Sequence, residues 1–292
     1  LARRNNPERL GAPQPDAPPP DAALPPEQQV DPLSFVVPTE FVALPTEGAY
    51  YPDGHPLQKA DSVEIKYMTA KEEDLLSSRS LLEKGLVLDR LLENLLVDKH
   101  IRSRDLLMAD RNAILVAARS SGYGEEYKTK IMCRSCTESD SYSYDLNNAV
   151  STGPLSPEEL ESINVKHKGD GVFAVRVPNA PVEVEFRLLS GHDERAMMDL
   201  ATKRKKKKMN DQLITDQLNF MIVSVMGHED PEIIGQYVDS LPLRDSRFLR
   251  DTYEKVTPSL DLRKEFVCNH CGYEDDIIFP FTVDFFWPDA GV

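Results

Sequence analysis

The chain has 292 residues, enough for one large or two modest domains. Its 34 lysines and arginines against 49 acidic residues leave a net charge of −15, which opposes approach to nucleic acid or an anionic membrane. No run reaches the length of an apolar transmembrane segment, and the 22 prolines crowd the N-terminal portion.

Residues 1–60 are expected to form an extended Pro-rich arm that docks on partners. Pro13, Pro15, Pro18, Pro19, Pro20, Pro25 and Pro26 deny a helix its backbone donors. Little apolar material is present in residues 1–32 to offset the entropy of ordering. From residue 33 to 67, apolar clusters such as Phe41-Val42-Ala43-Leu44 alternate with turn signals such as Pro52-Asp53-Gly54. The flanking prolines suit either edge strands or segments pressed against another surface. Val63 to Tyr67 alternates with period two and predicts a strand.

Thr69-Ala70-Lys71-Glu72 is a capping box. Leu88, Leu91, Leu92, Leu95 and Leu96 follow at helical spacing, and Gly85 marks a break between two helices. A further helix, capped by Ser103, is expected through Leu106, Ile114 and Ala118 to a stop near Gly122 and Gly124. Tyr127 to Met132 and Ser141 to Leu146 then read as strands on either side of Cys133-Arg134-Ser135-Cys136.

That pair and Cys268-Asn269-His270-Cys271-Gly272 hold all four cysteines. Each presents two thiolates across a tight turn, the arrangement that grips half of a tetrahedral zinc ion. Gly272 suits a turn with positive φ. The alternatives are a disulfide pair, a redox CxxC, or four unconnected thiols. A secreted disulfide framework is not expected, because no leader-like apolar stretch appears and cysteines are sparse. A redox site needs only one pair, beside a βαβ pattern that neither pair has. Cys133, Cys136, Cys268 and Cys271 are therefore the expected ligands of one structural Zn2+ per chain. His270 lies inside a knuckle and could replace a cysteine as ligand; with four thiolates on hand, the plainer reading is a turn residue. Such a site is coordinatively full and not catalytic. It ties the base of the 131 residues between Cys136 and Cys268.

Inside that loop, Val172 to Val177 and Val182 to Leu188 are rich in strand formers, joined by Pro178-Asn179-Ala180-Pro181 as a hairpin. Asp193 to Asp199 predicts a short helix. Lys203-Arg204-Lys205-Lys206-Lys207-Lys208 is the only strongly basic run; it reads as a solvated helix start or as a dock for an acidic neighbour, ahead of a nuclear signal or phosphate patch. Met209 to Met226 predicts a core helix, with others at Glu232 to Ser240 and Ser246 to Lys255. The ending from Ile277 to Pro288 is the most aromatic stretch, to be buried either in the chain's own core or in a partner's pocket.

No Gly-rich phosphate loop, HExxH or nucleophile elbow occurs. Gly169-Asp170-Gly171 lacks the lysine of such a loop and reads as a hairpin turn. An enzyme reading would rest on loops near His55 or His167. A nucleic-acid reading is opposed by the acidic flanks Glu138, Asp140, Glu274, Asp275 and Asp276.

CRSC with CNHCGY, the leucine-rich helices before it, MNDQLITDQLNFMI and the ending IIFPFTVDFFWPD resemble the zinc-ribbon baseplate hub and hub-assembly proteins of T4-like contractile-tailed phages. The resemblance covers roughly residues 60–292. It implies a non-enzymatic virion component of the tail baseplate, assembled in the host cytoplasm and placed near the hub or inner wedges. It would contact other tail and baseplate proteins, with self-association open and no nucleic acid or membrane involved. The four cysteines match the metal ligands.

The expected fold is α+β: helical layers, short β-strands and a four-cysteine zinc-ribbon clasp, with a helical insertion between the knuckles. After the arm, residues 61–146 carry a helical region and the first knuckle. Residues 147–263 form an inserted β-hairpin and helical subdomain, and 264–292 the second knuckle and aromatic tail.

Overall fold

The computed structural model describes residues 37–179, 182–278 and 283–286. Among them, two hydrophobic cores and one small sulfur-lined core organise the chain, each rooted in a different sequence pattern.

The first core begins where the arm was expected. Strands β1 (Thr39–Ala43) and β2 (Ser62–Lys66) pair antiparallel with Val42 opposite Val63. Pro38 and Pro45 stand just outside β1, where the ladder does not need their missing amides. Val42, Leu44, Tyr51 and Leu57 are buried in this core, and Tyr50 is buried in the second. Residues 37–60 thus differ from the expected arm and belong to the body, because their apolar clusters bury enough surface to order the intervening turns. Gly48 (φ +66°) closes this loop; a Cβ there would lie 2.3 Å from the Leu57 carbonyl oxygen. Residues 1–36 lie outside the described residues.

The capping box forms as read: the Thr69 amide donates to Glu72 Oε2 at 3.0 Å, opening α1 (Ala70–Leu76). Next come α2 (Arg79–Glu83), a break at Gly85 (φ +63°), and α3 (Val87–Leu95). Leu91, Leu92, Leu95 and Leu96 face inward from α3. Helix α4 (Met108–Tyr123) starts later than Ser103 predicted, after an extended Leu107 whose amide donates to Tyr51 Oη at 3.1 Å. Buried Asp110 pins α4 to the turn after β1. It accepts from the Thr46 amide (3.0 Å), Thr46 Oγ1 (2.6 Å) and Tyr51 Oη (2.8 Å). Burial pushes its carboxyl up, and those donors pull against it.

Strands β3 (Glu126–Met132) and β4 (Ser139–Asp145) form the first ribbon hairpin. Short β5 (Val150–Thr152) pairs with β10 (Ser259–Asp261), so the inserted stretch leaves and returns at one place. Within it, α5 (Pro157–Ser162) precedes a four-stranded antiparallel sheet. Its order is β6 (Val165–Gly169), β7 (Val172–Arg176), β8 (Glu183–Arg187) and β9 (Ile222–Val225). Phe173, Val175, Val184 and Phe186 supply its buried face. Against the sheet lie α6 (Gly191–Lys206), α7 (Leu213–Met221), α8 (Pro231–Ser240) and α9 (Leu243–Val256).

Two spans differ from expectation. The helix predicted over 209–226 is α7 followed by β9: Ile222-Val223-Ser224-Val225 is mostly β-branched and completes the sheet beside β8. The short helix at 193–199 is instead the 16-residue α6, whose last turn takes in most of the basic run, where lysines meet the carbonyl end of the helix dipole.

The start of α6 is held by charge. Arg187 forks onto Asp193, Nη1 to Oδ2 at 2.7 Å and Nη2 to Oδ1 at 2.6 Å, while the Ser190 amide donates to Oδ2 at 2.8 Å. Burial alone would raise the Asp193 carboxyl; the Arg187 fork and Ser190 outweigh it and hold it below its ordinary value. The resulting stability is complete above the unfolded carboxyl's pKa of about 3.9 and is lost as pH falls through the lower folded value. Unfolding free energies measured across acid pH should therefore fall less steeply below about pH 4 in Asp193→Asn than in the parent. Parallel acid limbs would show that the fork contributes nothing.

The insertion is tied to the helical layer by a buried ion network. Arg111, 3% exposed, reaches Asp89 of α3 at 2.8 Å and Glu194 of α6 at 3.2 Å. Arg195 donates to the Lys84 carbonyl at 2.7 Å.

Candidate metal centre

The second ribbon hairpin is β11 (Arg263–Val267) with β12 (Glu274–Ile278). The two knuckles share one backbone design. The Cys133 amide donates to the Glu138 carbonyl (2.8 Å), and the Thr137 amide to the Cys133 carbonyl (3.0 Å). In the second knuckle the Cys268 amide donates to the Tyr273 carbonyl (2.9 Å), and the Gly272 amide to the Cys268 carbonyl (2.9 Å). The fifth residue of each is left-handed, Thr137 at φ 63° and Gly272 at φ 71°. Only the glycine announces that turn in the sequence.

The hairpins meet through Tyr142, whose hydroxyl donates to the Val267 carbonyl and whose ring packs on Phe266 at 4.8 Å. Arg134 pairs with Asp275 at 3.3 Å. The four Sγ atoms lie within 4.8 Å of one another, with Cys133 to Cys271 at 3.7 Å and Cys136 to Cys268 at 3.6 Å. A zinc tetrahedron with 2.3 Å Zn–S bonds has edges of about 3.8 Å, so this donor set fits the metal. Burial would raise the Cys133 thiol. Amides of Cys136 and Ser135, with the neighbouring sulfurs, outweigh it and hold it at about 7. At Cys136 the Glu138 amide is outweighed by burial and the same crowding of sulfurs, which push that thiol up to about 12, so the four do not ionise together without a cation among them. His270 Nε2 faces Asp140 at 3.4 Å and stands outside the sulfur group.

The other sequence candidates do not converge. His55 stacks on Tyr51 at 4.4 Å, and His167 sets its edge to Tyr50 at 5.4 Å. Burial lowers the pKa of both. His55, but not His167, lines an open cleft of about 370 Å³ with Asp105, Ser190 and His192. Sequence reasoning passed over the His192–Asp105 pair at 2.8 Å, the Arg111 network and Arg119, since nothing in local spacing marks long-range ionic contacts.

Of the aromatic ending, Phe285 and Phe286 are described, and both pack in the chain's own first core. For these two residues the partner-pocket alternative is set aside. Residues 279–282 and 287–292 lie outside the described residues. Arg119, fully buried in α4, holds this end by donating from Nε to the Phe285 carbonyl (3.1 Å) and from Nη1 to the Gly124 carbonyl (2.8 Å).

A mixed fold of helices and short antiparallel strands, with a four-cysteine cluster whose geometry is consistent with a zinc-ribbon clasp, defines the class of protein. Residues 51–287 match the family described as T4 bacteriophage base plate protein, and the chain belongs to that family. It is a structural, virion-associated protein of the tail baseplate. No curated protein and no solved structure matches it. Among the described residues, no helix is long and apolar enough to cross a membrane.

Proposed function

We propose that this baseplate protein acts near the hub or inner wedges as a staple between neighbouring tail proteins, and that its clasp holds one Zn2+ on Cys133, Cys136, Cys268 and Cys271. The observation that carries the metal reading is the meeting of four sulfurs within 4.8 Å from knuckles separated by 131 residues. Zinc bound there serves as a cross-link, because four thiolates leave no position for water or substrate. The chain's own residues do the positioning: the ribbon fixes the helical layer of 61–146 against the inserted subdomain of 147–263. The Pro-rich composition of residues 1–36 suits contact with neighbours.

Elemental analysis of the chain, purified without added metal, tests the site; one zinc per chain is expected. Iron in its place, or a metal-free chain that still enters baseplates, would overturn the reading. Its place in the baseplate is read from a density map, by which foreign chains touch it.

A further inference from the structure

The inserted subdomain carries two exposed patches of opposite charge at the two ends of α7. At the N-terminal end lie Lys203, Lys205, Lys206, Lys207 and Lys208, all exposed, while Arg204 is occupied by a bidentate pair with Asp216. Removing these six cations from −15 leaves −21 for the rest of the chain. A helix C-terminus accounts for lysines in the last turn of α6. It does not account for the run's continuation beyond Lys206, or for the apolar side chains next to it. Met209, Leu213 and Ile214 stand 55%, 69% and 49% exposed.

At the other end of α7, about 12 Å away along its axis, the turn between β9 and α8 exposes Glu229, Asp230 and Glu232. In the same short stretch Met226 and Ile233 stand 63% and 40% exposed. Beside them runs a groove of about 570 Å³ between α7 and α8, lined by Arg187, Asn219, Phe220, Ile222, Glu229 and Ile234; the Arg187 charge is already taken by its fork with Asp193.

We propose that copies of this chain associate head to tail, the basic end of α7 in one copy seating on the acidic β9–α8 corner of the next. Each patch joins charge to exposed apolar surface, and the two are complementary in both respects. Because they occupy opposite ends of one helix, a single copy cannot satisfy both. A contact between unlike patches repeats, giving a ring if its rotation closes and an open chain if it does not. This rests on reading the chain as a structural part of an assembly.

Sedimentation velocity of the full chain over a concentration series tests it. At low salt, species larger than one chain are expected, weakened about tenfold or more as salt shortens the screening length from about 10 Å at 0.1 M to 3 Å at 1 M. Lys205→Glu/Lys206→Glu/Lys207→Glu and Glu229→Lys/Glu232→Lys should each sediment as monomers with unchanged circular dichroism and zinc content. Mixed together they should associate again, since each then supplies the patch the other lacks. Leu213→Ser/Ile214→Ser, which leaves every charge in place, should weaken association about tenfold, a loss typical of uncovering apolar contact area. A parent chain that stays monomeric at every concentration overturns the proposal, as does association indifferent to both reversals. A short labelled DNA duplex retained by a monomeric parent and released by the lysine reversal would also overturn it. Association that persists in a zinc-free chain would count against the clasp alone, so the two readings fail separately.

Discussion

On the proposed zinc reading, changing Cys133 and Cys268 together to serine is expected to abolish metal binding and unfold the cysteine end of the ribbon while the two larger cores survive. That end has little else to hold it: its buried set is Cys133, Phe266 and Cys268, with Ile131, Cys136, Tyr142 and Ile277 at the margin, whereas Tyr127 and Tyr144 anchor the base of the first hairpin in the first core. Zinc-finger peptides derive about 10–16 kcal/mol of apparent folding energy from their metal. Here the hairpins retain Tyr142–Val267 and Arg134–Asp275, so a cost on the order of 5 kcal/mol is expected. Hydrogen exchange should show amides of residues 130–141 and 264–277, the ends of the hairpins nearest the cysteines, losing protection. Tyr127 and Tyr144 at the base of the first hairpin should stay in the first core, with α3 and the β7–β8 pair unchanged. Equal protection in both ribbons, with no zinc in the variant, would remove the metal from any role in holding the fold.

Arg119→Ala is the second large effect. The guanidinium is fully buried and serves the carbonyls of Phe285, Gly124 and Glu126, while Tyr123 lies 5.3 Å from it. Truncation leaves three backbone acceptors without this donor, at about 1–3 kcal/mol each where water cannot replace it. A loss of about 3 kcal/mol or more in urea unfolding is expected, a large part of a typical 5–15 kcal/mol. Arg119→Lys should restore little, because an ammonium lacks the planar fork that reaches three carbonyls at once. A double-mutant cycle with Phe285→Ala checks the mechanism: coupling above about 1 kcal/mol is expected, and additivity would mean that Arg119 does not hold the C-terminal turn.

The clasp was legible because its signal is chemical and self-contained: four cysteines in two matched pairs with none left over. The capping box at Thr69 and the break at Gly85 were legible for a similar reason, since each is decided within a few residues. The arm's inner boundary was not. Pro38 and Pro45 left edge strand and partner-bound segment equally open, and their positions just outside β1 are visible only once β2 is in place. The run at 209–226 had helical spacing throughout, yet Ile222 to Val225 were claimed by β8, a choice made by tertiary pairing. Phe285 and Phe286 read equally well as anchors for a partner or for the chain itself. A buried arginine 166 residues away decided the matter.

The distance in sequence between the knuckles also sets a timetable. At about 5–20 residues per second, the ribosome releases Cys268 on the order of ten seconds after Cys136. The first pair of thiolates must wait, half a cage, while the insertion folds beside it. Phe285 and Phe286 arrive later still. A prematurely ended chain therefore has neither sealed sulfurs nor a filled first core, and the growing particle would be offered only finished copies in the rigid form.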